Sequence, residues 1–560
     1  MNEALALPQR DDTAGSQLSS MPPTEKPESQ EAVSASPWIA FRHRAFSVVW
    51  IATVIANTGT WMYNAASGWL MTSLSPDPLI VSLVQVASSL PMFLFALPAG
   101  ALADIVDKRR FLIGCEIALT VVAAASALLV WMKLMSPAML LFFTFALGVG
   151  AALTAPAWQS IVPELVPKPA LPAAVASNGV GVNVSRAIGP ALGGALIGVL
   201  GIAAPFWINA LSNFAVIGAL LWWNPQSSQA SRLPPERLLG AMLIGLRHVR
   251  YNRELRATLV RAVAFFFCAS AYWALLPLVA RDQIAGGPAL YGILLGAIGV
   301  GAVIGAFALP AAKAALDADR LVAAGTFGTT VSLVLIGLAQ RPAMGLLGYV
   351  LAGMSWIAVL SSLNVSVQVS LPDWVRGRGL AMFVTVFFGA MTAGSAFWGQ
   401  LASPVGLPGA HFAAAAAAIA GIALTWGWKL QSGAGQDLAP SMHWPAPVFS
   451  NDPDSDRGPV LITVEYRIDP AKRESFLHAI AGLEQQRRRD GAYSWDLFED
   501  AATSGRYLET FKVASWLEHL RQHQRVTNAD RVIQDAIRSF DASGAPTTTH
   551  FIATDLRVRD

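Results

Sequence analysis

A guanidinium inside an apolar helix is the costliest side chain in this sequence. Arg186 falls in the run Asn178-Gly-Val-Gly-Val-Asn183-Val-Ser-Arg186-Ala-Ile-Gly189-Pro190-Ala-Leu-Gly193-Gly194. A permanent charge in hydrocarbon is tolerated where it faces a cavity, pairs or snorkels. Gly179, Asn183, Arg186, Pro190 and Gly193 recur at intervals of three and four, which puts them on one side of a helix. Two roles fit Arg186: a charge that meets a substrate or works a gate, or a structural bond to polar groups of neighbouring helices. Thr53, Asn57, Thr60 and Asn64 form a second stripe. Asn57 and Asn64 each donate and accept hydrogen bonds, so they suit a polar ligand or interhelical glue. Asn57, Asn64, Asn183 and Arg186 are the expected lining of a polar cavity for a small molecule.

A second cluster is Gly100-Ala-Leu-Ala-Asp104-Ile-Val-Asp107-Lys108-Arg109-Arg110. Gly100 lets helices approach closely, and Asp104 can accept bonds from basic or backbone donors in a breakable latch. Lys108, Arg109 and Arg110 would complete that gate, or would only anchor the loop at anionic headgroups. Gly189, Gly193 and Gly194 allow tight packing and Pro190 bends the helix by removing an internal hydrogen bond. Glu116 is the clearest acid inside an apolar span; it could carry protons, or pair locally with Arg110 or Lys108. Trp516, His519 and His523 invite a site near the C-terminal end. The histidines have i,i+4 helical spacing but lack further convincing ligands, so no metal is expected and a surface or dimer-contact patch is.

The elements that must position these groups follow from composition. Of 560 residues, 54% are hydrophobic and only 13% charged, well under the quarter charged that a soluble surface uses. About 20 apolar residues cross the hydrocarbon slab. That window predicts twelve spans, at about 46–70, 79–103, 111–131, 138–160, 173–200, 202–223, 258–280, 289–310, 321–339, 342–365, 380–402 and 408–429. Arg42, Arg44, Lys108–Arg110, Lys168, the arginines of the central connection, Lys313, Arg320, Arg376 and Arg378 fall on one side of these spans. Lys133, Arg281 and Arg341 fall on the other. The positive-inside rule then places both ends and the central loop in the cytoplasm. Gln159, Pro163 and Glu164 at the end of the fourth span parallel Gln368, Pro372 and Asp373 at the end of the tenth, which predicts two six-helix halves repeated in parallel around a midplane cavity. No ATP-binding glycine-rich loop ending in Lys-Ser or Lys-Thr occurs, so energy from an ion or substrate gradient is expected and no cofactor. No concentrated basic face predicts nucleic-acid binding, and Cys115 and Cys268 offer no disulfide framework.

The divisions expected are a disordered cytoplasmic extension (1–39), a six-helix half (40–223), a cytoplasmic loop (224–257), a second half (258–430), a linker (431–458) and a water-soluble domain (459–560). In that domain Val460, Ile462, Val464, Tyr466 and Ile468 alternate with polar positions as a strand, and 470–489 is an amphipathic helix. Two strands around Ser504-Gly505, a helical segment at about 515–540 and a strand at His550–Thr554 complete a βαββαβ, ferredoxin-like order. Helices cover one sheet face, so homodimerisation through the other is expected.

Gly100-x-Leu102-Ala103-Asp104-x-x-Asp107-Lys108-Arg109-Arg110, Arg186-x-x-Gly189-Pro190-x-x-Gly193-Gly194 and Val375-Arg376-Gly377-Arg378 resemble the major facilitator superfamily over residues 40–430. The closer resemblance is to its transmembrane secretion effector group, which includes the enterobactin exporter. Asp107 stands where that pattern usually has Gly. The resemblance implies an all-α, twelve-helix polytopic fold in a bacterial inner membrane. It also implies a cytoplasmic gate at Asp104 and Arg109, an antiporter-type bend at Gly189 and Pro190, and proton-driven efflux of a siderophore, drug or other small amphipathic compound. Residues 459–555 resemble the antibiotic biosynthesis monooxygenase-like domains, some of which oxidise aromatic molecules without a tightly held cofactor while others only dimerise or sense. A membrane-tethered monooxygenase and a scaffold assembling through the tail are the alternatives.

Overall fold

The computed structural model describes residues 38–103, 106–224, 250–431, 437–441, 444, 457–544 and 546–554. Asp104 and most of the central connection, including Arg232, Arg237 and Arg247, lie outside the described residues. Eleven helices are long and apolar enough to cross a membrane. They are α1 (Arg44–Leu74), α2 (Pro78–Ala103), α3 (Lys108–Trp131), α4 (Pro137–Leu165), α5 (Leu171–Leu200), α6 (Ala204–Trp222), α7 (Arg253–Ala274), α8 (Pro288–Ala315), α9 (Ala318–Gly337), α10 (Pro342–Val369) and α11 (Asp373–Thr425). α7 runs on through Leu276–Leu278 into a π-helical stretch, Val279–Gln283.

Local chemistry sets the helix ends. Ser136 and Asn252 accept bonds from backbone N–H groups of the first turns of α4 and α7, satisfying donors that have no partner within the helix. Proline occupies the first turn of α4, α8 and α10, where its missing N–H costs nothing. α11 has 53 residues, but Gly406 inside it has φ 75° and ψ 168°. No residue with a Cβ adopts that geometry comfortably, so α11 is two helical limbs joined at Gly406. The expected spans at 380–402 and 408–429 correspond to these limbs. α7 starts at Arg253, so Arg253, Glu254 and Arg256 belong to its first turn rather than to the preceding loop.

Asp107 caps α3 by accepting from Arg110 N at 2.8 Å, and Asp317 caps α9 by accepting from Arg320 N at 2.7 Å. The same Asp-x-x-Arg cap thus opens the third helix of each helical group. Helices α1–α6 and α7–α11 meet along α2 with α11 and along α5 with α8. At α5 a Cβ on Gly194 would lie 2.6 Å from Pro288 O and 3.0 Å from Gly292 Cα, so glycine is what lets the two backbones touch. Along α2, Ser89 and Thr392 hydroxyls are 2.8 Å apart and Ser403 donates to Asp77 at 3.1 Å. All these contacts lie in the middle of the helices or toward the ends remote from the basic loops. At the basic ends a Cβ on Gly100, Gly179 or Gly377 would meet nothing within 4 Å.

The tail folds as a four-stranded antiparallel sheet of order β2-β3-β1-β4, formed by β1 (Val460–Arg467), β2 (Ser494–Glu499), β3 (Arg506–Val513) and β4 (Thr547–Ile552). Val460, Ile462, Val464 and Tyr466 point inward from β1 onto Phe476, Ile480 and Leu483 of α12 (Arg473–Arg489). The expected second helix is two, α13 (Trp516–Arg525) and α14 (Asn528–Arg538). Thr527 restarts the chain through a reciprocal capping box with Asp530. On the opposite sheet face Phe498, Leu508 and Phe551 are exposed.

Candidate functional site

A cavity of about 410 Å³ opens within α1–α6. Asn57, Thr60 and Asn64 of the α1 stripe line it, facing Glu116, Thr144, Trp158 and Gln159 from α3 and α4 and Asn209 and Asn213 from α6. Its depth is marked by Tyr63, Asn64 and Thr144, and it extends toward the basic-loop ends at Trp50, Gln159 and Asn178. Thr60 reaches Asn209 across the wall at 3.5 Å. The polar groups alternate with indole and aliphatic surface, the lining that suits an amphipathic small molecule.

Glu116 is 7% exposed and forms no ion pair among the described residues. Neither expected local partner reaches it. Lys108 pairs with Glu164 of α4 at 3.1 Å, and Arg109 donates to the carbonyls of Leu220 and Leu221 at the end of α6, each at 2.8 Å. Lys108 and Arg109 therefore bind the ends of α3, α4 and α6 together, with Arg110 exposed, and the Glu116 carboxyl faces the cavity from α3 beside Trp158, with no ion pair among the described residues.

α5 distributes its side chains differently from the single stripe expected of it. Asn178 and Val182 line the cavity. Arg186, one turn further along that face, stacks its guanidinium over the Trp61 ring at 5.4 Å, and its Nε is buried without a hydrogen-bond partner among the described residues. Asn183 does not line the cavity: it is exposed, and its amide bends back onto Gly179 O at 2.9 Å. A helix turns 100° per residue, so Asn183 cannot share the Val182 face. Gly189 and Gly193 pack on Trp61 and Met62 of α1, whereas Gly194 and the Pro190 carbonyl meet Gly292 of α8. The glycines thus serve both neighbours of α5. Thr144 and Thr154 complete the cavity without having been singled out by sequence reasoning, and Gln159 was singled out only as part of the repeated motif; the spacing Thr154–Trp158 and Asn209–Asn213, four residues apart, was the available signal.

Helices α7–α11 are packed with rings instead. Phe266 contacts Trp356 and Phe387 at 5.2 and 4.4 Å, and Trp273 contacts Trp356 at 5.6 Å. Their buried cation, Arg261, pairs with Asp319 at 3.0 Å.

In the tail, Trp516 and His519 are 3% and 1% exposed. They face inward rather than forming the surface patch expected, because the amphipathic face of α13 turns toward the sheet. The third member of the group comes from β4: His550 lies 4.7 Å from the His519 ring and 5.8 Å from Trp516. Burial, together with the positive fields of His550 and His523, pushes His519 down to about 3; burial first, then His550 and Arg487, pushes His523 down to about 4; burial lowers His550. All three are neutral imidazoles at neutral pH. Nearby, Glu509 is fully buried and accepts from Tyr466, Arg487 and Trp495. Arg489 bridges Asp490 and Asp530 and so ties α12 to α14.

The tail touches the helical domain. Arg525, paired with Glu518, places its guanidinium 4.4 Å from the Trp374 ring at the start of α11, and Arg488 lies over Tyr251 at 5.9 Å.

A family model described as "Transmembrane secretion effector" matches residues 35–557. The chain is 23% identical over 255 residues to the staphyloferrin A transporter of Staphylococcus aureus, covering 45% of this chain and 63% of that one, so under two thirds of that relative's length is spanned. It is 24% identical over 374 residues to the multidrug efflux pump Tap of Mycolicibacterium fortuitum, covering 64% of this chain and 90% of that one. Among solved structures, the nucleoside transporter NupG superposes with a TM-score of 0.58 at 10% identity, over 69% of this chain and 99% of that one; this likeness shows the fold.

Proposed function

The chain belongs to the transmembrane secretion effector family of the major facilitator superfamily and is a multi-pass secondary transporter, and on that premise we propose that it is a proton-driven exporter of a small amphipathic compound. The observation that carries this reading is Glu116, a buried carboxyl without an ion-pair partner among the described residues, set in a cavity of amides, hydroxyls and indoles. A carboxyl so placed gains and loses a proton as water and substrate enter and leave. A siderophore or a drug is the substrate class favoured by the relatives' names, staphyloferrin A transporter and multidrug efflux pump. Arg186, adjoining the cavity face with an unsatisfied Nε, is suited to an anionic or carbonyl group on that substrate.

The two limbs of α11 count as two crossings, giving twelve. The basic ends then face the cytoplasm of a bacterial inner membrane, together with both termini and the tail. The cavity reaches toward those ends, so this is the state that loads from inside. Gly100, Asp104 and Lys108–Arg110 belong to the gate that closes when the basic ends approach, with Lys108–Glu164 and the Arg109 contacts as the fixed side of it.

The tail is a ferredoxin-like domain with a regulatory or assembly role. The Arg525–Trp374 contact at the start of α11 supports regulation, and the exposed Phe498, Leu508 and Phe551 face supports self-association. A monooxygenase-like activity has no comparable observation behind it.

Proteoliposomes with an imposed proton gradient and a panel containing staphyloferrin A and amphipathic drugs test the main reading. Gradient-dependent flux is expected; flux indifferent to the gradient overturns proton coupling. Equal transport by the Arg186→Ala protein removes Arg186 from the substrate path.

A further inference from the structure

The tail's three inward-facing histidines have an arrangement that packing alone does not call for. His519 and His523 sit one turn apart on α13, and His550 comes from the edge strand β4, opposite the buried Ile462 of β1. One ring nitrogen from each lies within 4.8 Å of the other two. We propose that His519, His523 and His550 form a three-nitrogen site for a first-row divalent cation, with Zn²⁺ as its occupant.

The His519 tautomer is fixed by a neighbour. Gln522 donates its amide to Asp490 O at 3.4 Å, which turns its carbonyl oxygen toward His519 Nδ1 at 3.3 Å. His519 Nδ1 therefore carries the proton and donates it, and Nε2 presents its lone pair. That Nε2 stands 3.3 Å from His523 Nε2. Two nitrogens that each lie about 2.0–2.1 Å from a tetrahedral zinc are separated by about 3.3–3.4 Å, so this pair already has the edge length of a coordination tetrahedron. A half-exposed His550 on an edge strand closes the third position by a side-chain rotation. The charged group facing the cluster is Arg487, and its charge is matched by Glu509 at 3.0 Å. Trp516 against His519 and His550, and Trp444 against His523 at 4.9 Å, wall the site with indoles. Three protein nitrogens leave the fourth position to water or a ligand, the donor count of a reactive or sensing centre rather than a closed structural one.

The alternative is a plain hydrogen bond from His523 Nε2–H to His519 Nε2, and the two differ in what they bind. Untagged full-length protein in detergent, stripped with chelator, loaded with Zn²⁺ and desalted, should retain one equivalent per chain. Loading with Co²⁺ should give the intense visible bands of a low-symmetry nitrogen-ligated site. Diethylpyrocarbonate should modify His523 and His550 only without Zn²⁺, and the exposed His478 equally with or without it; this readout needs no variant to fold. Gln522→Ala, which frees the His519 ring, should weaken Zn²⁺ binding by about 10–100-fold, and His523→Gln with His550→Gln should abolish retention. No retained Zn²⁺, or undiminished retention in the double variant, overturns the site.

Discussion

Helices α1–α6 and α7–α11 open their third members with the same Asp-x-x-Arg cap, yet they treat buried charge in opposite ways. In α1–α6 the polar residues converge on a cavity, with Glu116 facing it without an ion pair among the described residues and Arg186 stacked on the Trp61 ring. In α7–α11 Phe265, Phe266, Trp273, Trp356 and Phe387 pack ring against ring in the interior, and Arg261 is paired with Asp319. An unpaired charge in a low-dielectric site is costly, so it persists where it does work. A paired one surrounded by rings makes a firm wall. On the proposed function, one group carries the reacting and binding side chains and the other is the firmer body packed against it.

The largest effect that would sharpen this contrast is expected from Glu116→Gln. The amide keeps the shape and hydrogen bonding but holds no exchangeable charge, so gradient-driven export should fall to background while substrate binding persists; full gradient-driven export by this protein would break the contrast at its centre. Arg261→Ala should instead act on stability. Removing one partner of a buried pair typically costs about 3–5 kcal/mol, visible as a lower unfolding temperature in detergent, with transport per folded molecule unchanged. Gly194→Val addresses the seam between the groups. Its side chain would meet Pro288 O and Gly292, and overpacking there should disfavour the present contact by about 1–3 kcal/mol. The crosslinking yield of an Asp77→Cys/Ser403→Cys pair should fall accordingly; an unchanged yield would mean that the seam does not separate. The smallest stability effect is expected from Arg186→Met, which forfeits a cation–π contact worth about 0.5–2 kcal/mol. A loss as large as that of Arg261→Ala would show that Arg186 is structural after all.

The polytopic helical character of the chain and the α+β character of the tail were legible because they depend on short-range regularities: apolar runs of membrane length, alternation in β1, and the Ser504-Gly505 turn. The cavity was legible only where a stripe was self-contained, as for Asn57 and Asn64. Asn183 was misplaced because intervals of three and four fix a side of a helix only to within a broad arc, and α5 has to serve α1, α8 and the cavity within that arc. Glu116 looked like a partner for Lys108 because the two are close in sequence. The fold sends Lys108 to Glu164 on another helix, a choice made by tertiary packing. His550 could not be joined to His519 and His523 because the strand pairing that brings β4 to the sheet edge is a long-range event with no local trace. The turn at Gly406 did leave a trace: it falls in the gap between the expected spans 380–402 and 408–429, where Pro404 and Gly406 interrupt the apolar run.

The junction between helices and tail has a kinetic meaning. Leu430 N is held by Asp319 at 3.0 Å and Gln431 by Glu254 at 2.8 Å, while Asp437 holds Asn528 and Ser441 is bonded to Val526. Between those two anchorages the chain has six peptide steps, from Gln431 to Asp437, and can span at most about 20 Å. A tether of that length gives the Arg525–Trp374 contact an effective concentration on the order of millimolar. An encounter too weak to form between separate molecules is then populated by proximity alone, so on the proposed regulatory role a small change within the tail would be felt at the start of α11 without any second molecule being recruited.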